Sequence, residues 1–361
     1  MSSIIKVDTI QLADGTAATI ENLGLATGAL SHRNLIINGD MRVAQRGSGP
    51  TTTSGAGVYD TVDRMRLWED TDGTFTSEQS SEAPDGFSNS LKLVVTTADT
   101  SLAAAQYACF AQLIEGQNLQ HLAYGTNAAK TITLSFWVRS SKTGTYSICL
   151  DKSTSTSYKY VKEYTISSAN TWEKKTITIE PDSNIQASGG AIANDNNIGF
   201  RVFINLAWGS SYNTATDNTW NNNSQFATTN QVNWMDSTSN DFYFTGFQLE
   251  VGSVATPFEH RSYGEELALC QRYYQKRPYV NDYPVIWTGD ITSGNTYYTS
   301  EPFSVVMRTA PTVTITSENA SGINFGGTQY NTAYGIRAYG SSTSTMARGY
   351  FQFAYTADAE L

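Results

Sequence analysis

Residues 241–275 read DFYFTGFQLEVGSVATPFEHRSYGEELALCQRYYQ, and this stretch decides the fold. In its first half, aromatic and aliphatic side chains recur at alternate positions. A period of two predicts a β-strand, with Tyr243, Phe247 and Leu249 on one face. Phe242 and Phe244 make the other face apolar as well. We therefore expect a buried strand at the centre of a sheet.

The second half of this stretch predicts the clearest helix of the chain, over residues 262–277. Ser262 and Glu265 fit the S-x-x-E capping box, in which each side chain satisfies a free backbone N–H of the first turn. Its apolar residues recur at i, i+3 and i+7: Leu267, Cys270 and Tyr274. One short helix cannot form a core alone. We expect this stripe to pack on a sheet or on copies of itself in an oligomer.

The composition is typical of β-rich virion or extracellular proteins. Charged residues make up 16% of the 361 residues, against roughly 25% in average proteins, and Ser, Thr, Asn, Gly and Tyr replace them. The net charge of −10 argues against nucleic acid or an anionic membrane as partner, since both select Lys and Arg clusters. No apolar run approaches the roughly 20 residues that span a bilayer, so we expect no membrane insertion. The first residues also lack a signal peptide, which predicts synthesis in a cytoplasm.

The chain divides into four predicted segments. Residues 1–33 carry apolar side chains, Ile5, Val7 and Ile10 among them, but are too few to form a core. We interpret them as strands that interlock between chains and attach to another protein; a strand docked on the next domain is the alternative. Residues 34–261 follow a strand–turn–strand rhythm that predicts a jelly-roll β-sandwich. Residues 262–277 form the helical collar, and residues 278–361 a small C-terminal β domain.

Two surfaces have the chemistry of a glycan site. A sugar offers C–H groups on its faces and hydroxyls at its rim, so it needs flat rings beside polar side chains. Between the sandwich strands, residues 208–240 are rich in Asn, Ser and Thr and carry Trp208, Trp220 and Trp234. In the C-terminal domain the candidates are Tyr330, Tyr334, Arg337 and Tyr339. We favour the C-terminal surface; the competing interpretation is that the Trp rings only hold their loop in place.

The sequence contains no catalytic motif. The histidines are scattered, and acid pairs such as Asp60 with Asp63, or Asp236 with Asp241, occur in any chain with 33 acidic residues. We therefore predict no enzymatic activity and no cofactor. Asp40 and Glu250 bracket the first and last sandwich strands and would suit a structural calcium ion. Ion pairs with neighbouring arginines are the preferred interpretation of both.

Three motifs resemble the signature of bacteriophage tail fibre proteins: NLIINGDMRVAQRG (34–47), YDTVDRMRLW (59–68) and GFQLEVGSVATPFEHRSYGEELALCQRYYQ (246–275). The segment EPFSVVMRTAPTVTIT (301–316) is similar to the start of their C-terminal domain. IKVDTIQLADGT (5–16) resembles the beginning of fibres in phages of marine bacteria and cyanobacteria. The resemblance covers most of the chain through these framing motifs.

The resemblance implies a structural virion protein rather than an enzyme. A jelly roll similar to carbohydrate-binding modules, a homotrimer, attachment to a tail or baseplate protein through residues 1–33, and contact with a host surface glycan or receptor are what it leads us to expect. It transfers no binding residues. A tailspike depolymerase that cleaves host polysaccharide, and a head or neck fibre of the same build, stay open as alternatives.

Overall fold

The structure is a computed structural model that describes residues 32–53, 55–277 and 285–361. Ile5, Val7 and Ile10, the predicted attachment residues, lie outside the described part of the chain. What is described is mainly β, as predicted. Within it, no helix is long and apolar enough to cross a membrane.

Two antiparallel sheets pack face to face as a jelly-roll sandwich. The six-stranded sheet has the order β1-β4-β5-β13-β7-β10, and the seven-stranded sheet the order β12-β9-β8-β11-β6-β3-β2. Their strands are β1 (Thr51–Thr53), β2 (Gly55–Val58), β3 (Arg66–Glu69), β4 (Thr74–Ser80), β5 (Ser90–Thr97), β6 (Tyr107–Glu115), β7 (Ile132–Ser140), β8 (Gly144–Lys152), β9 (Tyr158–Ile166), β10 (Glu173–Ile179), β11 (Ile198–Trp208), β12 (Thr219–Asn221) and β13 (Asp241–Val251). Rings from the two sheets meet in the core, where the centroids of Phe110 and Phe244 lie 5.1 Å apart.

Strand β13 lies between β5 and β7 at the centre of its sheet, as predicted. Its pairing with β7 shifts register between Thr245 and Gln248, where Gly246 has a φ of 64°. This bulge changes which residues face inward. The core receives Phe242 and Phe244 from before it, and Phe247 and Leu249 from after it. Tyr243 lies on the opposite face, so grouping it with the residues after the bulge was wrong.

The C-terminal domain consists of two further sheets. In one of them β20 pairs with β14, β15 and β17; the other has the order β16-β19-β18. Their strands are β14 (Tyr274–Arg277), β15 (Val285–Ile291), β16 (Thr296–Pro302), β17 (Thr312–Ser321), β18 (Ile323–Thr332), β19 (Gly335–Ser342) and β20 (Met346–Asp358). The helices of the described chain are α1 (Ser183–Gln186), α2 (Tyr263–Gln271) and 3-10 turns at Gly116–Leu122, Ser188–Gly190 and Trp234–Asp236. The second domain has its own apolar core, centred on Phe351 and Phe353.

Helix α2 begins as the sequence predicts but ends early. The Ser262 hydroxyl accepts a hydrogen bond from the Glu265 backbone N–H at 3.3 Å. The helix stops at Gln271 rather than at residue 277, because Tyr274–Arg277 form β14 and hydrogen-bond to β20. Cys270 and Tyr274 are therefore buried within their own chain. Of the two alternatives, Cys270 and Tyr274 show packing within the chain rather than on copies of it, and Leu267 is the half-buried member of the predicted stripe.

We expect Gly246→Ala to lower the free energy of unfolding by about 1–2 kcal/mol, because a non-glycine residue at positive φ is strained. A Cβ there would also lie 2.8 Å from the Phe87 ring and 2.9 Å from the Trp137 ring. Gly264→Ala is the control, since this helical glycine has no heavy atom within 4 Å of the added Cβ, and alanine favours helix. Urea denaturation compares the two variants. Equal losses in both would contradict the assigned role of the bulge.

A buried ionic junction joins the sandwich to the C-terminal domain. The Arg64 guanidinium pairs with the Glu360 carboxylate and lies 3.5 Å from the centroid of the Tyr273 ring. Arg46 reaches the same carboxylate at 3.3 Å and stacks 3.7 Å from the Tyr274 ring centroid. Two arginines of the sandwich thus neutralise a carboxylate of the C-terminal domain, and tyrosine rings cover both guanidinium groups.

Candidate functional site

An open groove of about 360 Å³ lies on the outer face of the seven-stranded sheet. Alternate residues of β3, β6 and β11 point away from the core into it, and the loop after β11 closes one side. We call it the aromatic groove; it is lined by Arg66, Trp68, Tyr107, Cys109, Arg201, Phe203, Trp208, Tyr212 and Phe226. Neither Asp nor Glu is among these lining residues.

Three stacked rings form one wall of the aromatic groove. Trp208 lies between Tyr107, with centroids 5.1 Å apart, and Phe226, at 4.9 Å and an interplanar angle of 2°. The Trp208 indole N–H donates to the Asn205 side-chain oxygen at 2.8 Å. Because both of its faces are covered and only 7% of it is exposed, Trp208 supports the wall. Tyr107 and Trp68 are half-buried and can receive a sugar face, as can the half-buried rings of Tyr212 and Phe226.

Two arginines supply the polar side of the aromatic groove. Arg201 donates to the buried Asp151 carboxylate at 2.7 Å and keeps a third of its side chain exposed. Arg66 donates to the Gly57 carbonyl oxygen at 3.0 Å and to a backbone oxygen of Leu361 at 2.7 Å. Guanidinium donors beside aromatic rings match the rim and the face of a sugar. Burial raises the pKa of Tyr107, so its phenol stays neutral and can both donate and accept.

The other two tryptophans of the predicted loop lie elsewhere. Trp220, on β12, borders a separate polar cleft of about 480 Å³ with Glu180 and Asp182, and its indole N–H donates to the Glu180 carbonyl at 2.9 Å. Trp234 is 0% exposed and packs in the sandwich core against Phe75. The prediction of Trp234 as a glycan contact was therefore wrong, because the loop folds back and inserts this ring between the sheets.

The C-terminal candidates lie on the surface of the three-stranded sheet. Tyr330 and Tyr334 are each 72% exposed. The Arg337 guanidinium lies 3.9 Å from the ring centroid of Tyr298 and 5.2 Å from that of Tyr330. We call Tyr298, Tyr330, Arg337 and Tyr339 the tyrosine face. Tyr334 lies in the turn between β18 and β19. A receptor-binding role for this surface stays a prediction.

The proposed calcium ligands are engaged in other contacts. Asp40 forms an ion pair with Arg42, and burial raises its pKa. Glu250 accepts hydrogen bonds from the Thr256 backbone N–H at 2.9 Å and its hydroxyl at 2.6 Å. In residues 32–53, 55–277 and 285–361, no group of three or more His, Cys, Asp or Glu side chains is arranged to hold a metal. The pairing with arginine that the sequence favoured is thus what Asp40 shows.

In each of the acid pairs considered for glycan cleavage, one carboxylate is engaged in hydrogen bonds or an ion pair. Asp63 is buried and accepts hydrogen bonds from Gln45 at 3.0 and 2.6 Å. Burial raises the pKa of Asp63 to about 6, against the opposing effect of Arg46. Asp236 pairs with Lys142 at 2.5 Å. Neither carboxylate lines the aromatic groove.

No family model matches the chain, and no curated protein matches it in sequence. Solved structures do resemble it. A bacteriophage CBA120 tailspike protein 4 domain described as enzymatically active is 14% identical, with a TM-score of 0.31, over 64% of this chain and 23% of that one. The family 11 carbohydrate-binding module of Clostridium thermocellum is 11% identical, with a TM-score of 0.28, over 58% and 99%. A CBM22-1 xylan-binding domain from Paenibacillus barcinonensis is 9% identical, with a TM-score of 0.28, over 63% and 100%. Similarity at this level carries no information about ligands.

Sequence reasoning missed Trp68, Tyr107 and Arg201 as site residues. All three lie within strands, at positions whose neighbours in sequence point into the core. The signal was present as a period-two pattern with aromatic or basic residues on the outward side. Pattern alone does not show that these three strands are adjacent.

Proposed function

We propose that the chain is a structural virion protein, a trimeric bacteriophage tail fibre subunit whose sandwich binds host cell-surface glycan in the aromatic groove. The observation that carries the glycan part is the pairing of half-buried rings, Trp68 and Tyr107, with the guanidinium groups of Arg66 and Arg201. Rings of this kind bury large area at little cost in conformational entropy, and the arginines orient the hydroxyls.

The fibre part of the proposal rests on the resemblance of residues 34–47, 59–68 and 246–275 to tail fibre proteins. Residues 1–33 would attach the fibre to a tail or baseplate protein and interlock three chains. A trimer presents three copies of each weak sugar site, which raises the effective concentration at a cell surface. A head or neck fibre of the same build would use the same surfaces from another attachment point.

We propose that the subunit binds glycan without cleaving it. Glycan hydrolysis uses two carboxyl groups on either side of a bound sugar, one of them a proton donor. The lining of the aromatic groove has none. The carboxylates of Asp63 and Asp236 are held by hydrogen bonds or ion pairs outside the groove, which supports binding rather than cleavage of glycan at the aromatic groove.

The proposal is tested on the full chain with polysaccharide extracted from the surface of a bacterium that the phage infects. Light scattering should give three times the chain mass of 39.4 kDa. Calorimetry should detect binding of the polysaccharide, and chromatography should find no released oligosaccharide. A monomer would contradict the trimer, absence of binding would contradict the glycan role, and released fragments would favour the depolymerase.

A further inference from the structure

We infer that the tyrosine face binds an acidic sugar, a uronic-acid residue of host polysaccharide, with Arg337 holding its carboxylate. The inference rests on the proposed function, because it assigns a second subsite and a ligand class to a glycan-binding fibre. It concerns a different domain from the aromatic groove, so the two sites can be tested separately.

Arg337 is held by rings rather than by acids. Its guanidinium lies over Tyr298 and beside Tyr330, and its Nε is buried without a hydrogen-bond partner. Over the described ranges, no carboxylate pairs with it and its side chain donates no hydrogen bond to protein. The rings fix the planar group and cover its Nε, so the two terminal Nη groups are the donors left for a ligand. Such a fork matches a carboxylate in a bidentate manner.

The residues that lie directly opposite Arg337 in the sheet are uncharged. Its partners across the sheet are Ser300 on β16 and Gln329 on β18. Tyr339 lies two residues along the same strand and pairs with Tyr298. A chain with a net charge of −10 repels an acidic polymer over most of its surface. A cation that no protein acid neutralises and that rings hold in place is therefore a site where such a polymer can dock.

The rings beside Arg337 suit the sugar that carries the carboxylate. Tyr298 is 44% exposed and Tyr330 is 72% exposed, so each offers apolar ring surface to sugar C–H groups. Gly326 lets the Tyr339 ring lie against the backbone, since a Cβ at that position would approach the ring to 2.2 Å. The face is thus shaped before binding. A uronic acid can contact both the tyrosine rings and the guanidinium, whereas an inorganic phosphate can contact only the guanidinium.

The test measures binding of a galacturonic-acid trisaccharide and of its carboxyl-reduced, neutral counterpart to the full chain by calorimetry. We expect tighter binding of the acidic sugar. Arg337→Gln should weaken that binding roughly tenfold or more, because hydrogen bonds to charged groups are among the stronger ones. Arg337→Lys keeps the positive charge but lacks the planar guanidinium, so it should retain only part of the affinity for the acidic sugar. Arg348→Gln, an exposed arginine of the same domain, is the matched control and should change binding less than twofold.

Several results would overturn the inference. Equal binding of the acidic and neutral sugars, no binding of the acidic one, or no effect of Arg337→Gln would each do so. Competition by inorganic phosphate at equal concentration would assign the face to phosphate instead. If the Arg337→Gln variant no longer forms the oligomer, the tyrosine face is a contact between subunits rather than a ligand site. If host polysaccharide still binds in these cases, the proposed function stands; if it does not bind the unaltered chain, both fail.

Discussion

Replacing Glu360 by alanine is expected to lower the free energy of unfolding by about 3–5 kcal/mol, the usual cost of removing one partner of a buried ion pair. The variant leaves the guanidinium of Arg64, which is 1% exposed, without a compensating charge in a site that excludes water. It also removes the contact between Arg46 and Glu360 at 3.3 Å. Urea denaturation followed by Trp fluorescence measures the loss.

Glu82→Ala is the matched control for Glu360→Ala. Glu82 also pairs with an arginine, Arg139, but half of its side chain is exposed. Ion pairs in contact with water contribute about 0–1 kcal/mol, so this variant should unfold almost as the unaltered chain does. If both alanine variants lose the same small amount, Glu360 does not stabilise the junction between the domains.

The junction explains why the C-terminal domain is best probed by single substitutions. Arg308 donates to the carbonyl oxygens of Asn196, Ala359 and Glu360 at 3.0, 2.8 and 2.9 Å. Truncation of the chain after Gln275 would therefore remove contacts that the sandwich itself uses and expose Arg64. Loss of host adsorption in such a truncation would not separate recognition from stability.

Period-two patterns predicted most of the strands, because one face of each is covered by the core. The patterns gave wrong predictions where a strand contains a bulge or where the partner strand lies far away in the sequence. The bulge at Gly246 adds a residue to β13 and reverses the alternation. An isolated glycine inside a strand pattern is a signal of such a bulge, but the prediction continued the period of two through it. Residues 272–277 look helical in sequence, yet Tyr274–Arg277 hydrogen-bond to β20. That partner strand lies about eighty residues further along the chain, beyond any local signal.

The sequence predicted the types of side chain that form the candidate site, but only some of the positions of those side chains. The loop with three tryptophans does contribute to an aromatic groove, through Trp208 and Phe226. The sequence could not show that Trp234 enters the core, since a ring in a polar loop looks the same whether it points outward or inward. Nor could it show that Trp68 and Tyr107 share a surface, because strand order sets that adjacency.

Replacing Trp68 by alanine is expected to weaken binding of host polysaccharide about thirtyfold, the effect of losing roughly 2 kcal/mol at an aromatic contact that dominates a binding site. Trp68 is a half-buried ring of the groove that lies outside the Tyr107–Trp208–Phe226 stack, and the Arg66 guanidinium lies 4.9 Å from its centroid. Its removal takes away a ring on which a sugar can stack, and also the ring against which the Arg66 guanidinium packs. Calorimetry with the full chain measures the change.

Trp172→Ala is the control for Trp68→Ala. This tryptophan is also half-buried but packs against Tyr243 on the outer face of the six-stranded sheet, with centroids 6.2 Å apart. Affinity should then be unchanged, while any general loss of stability would appear in both variants. An equal loss of affinity in the two would mean that the sandwich responds as a whole. Unchanged affinity in Trp68→Ala would remove the aromatic groove as the saccharide site and leave the tyrosine face as a candidate, because its rings do not depend on the seven-stranded sheet.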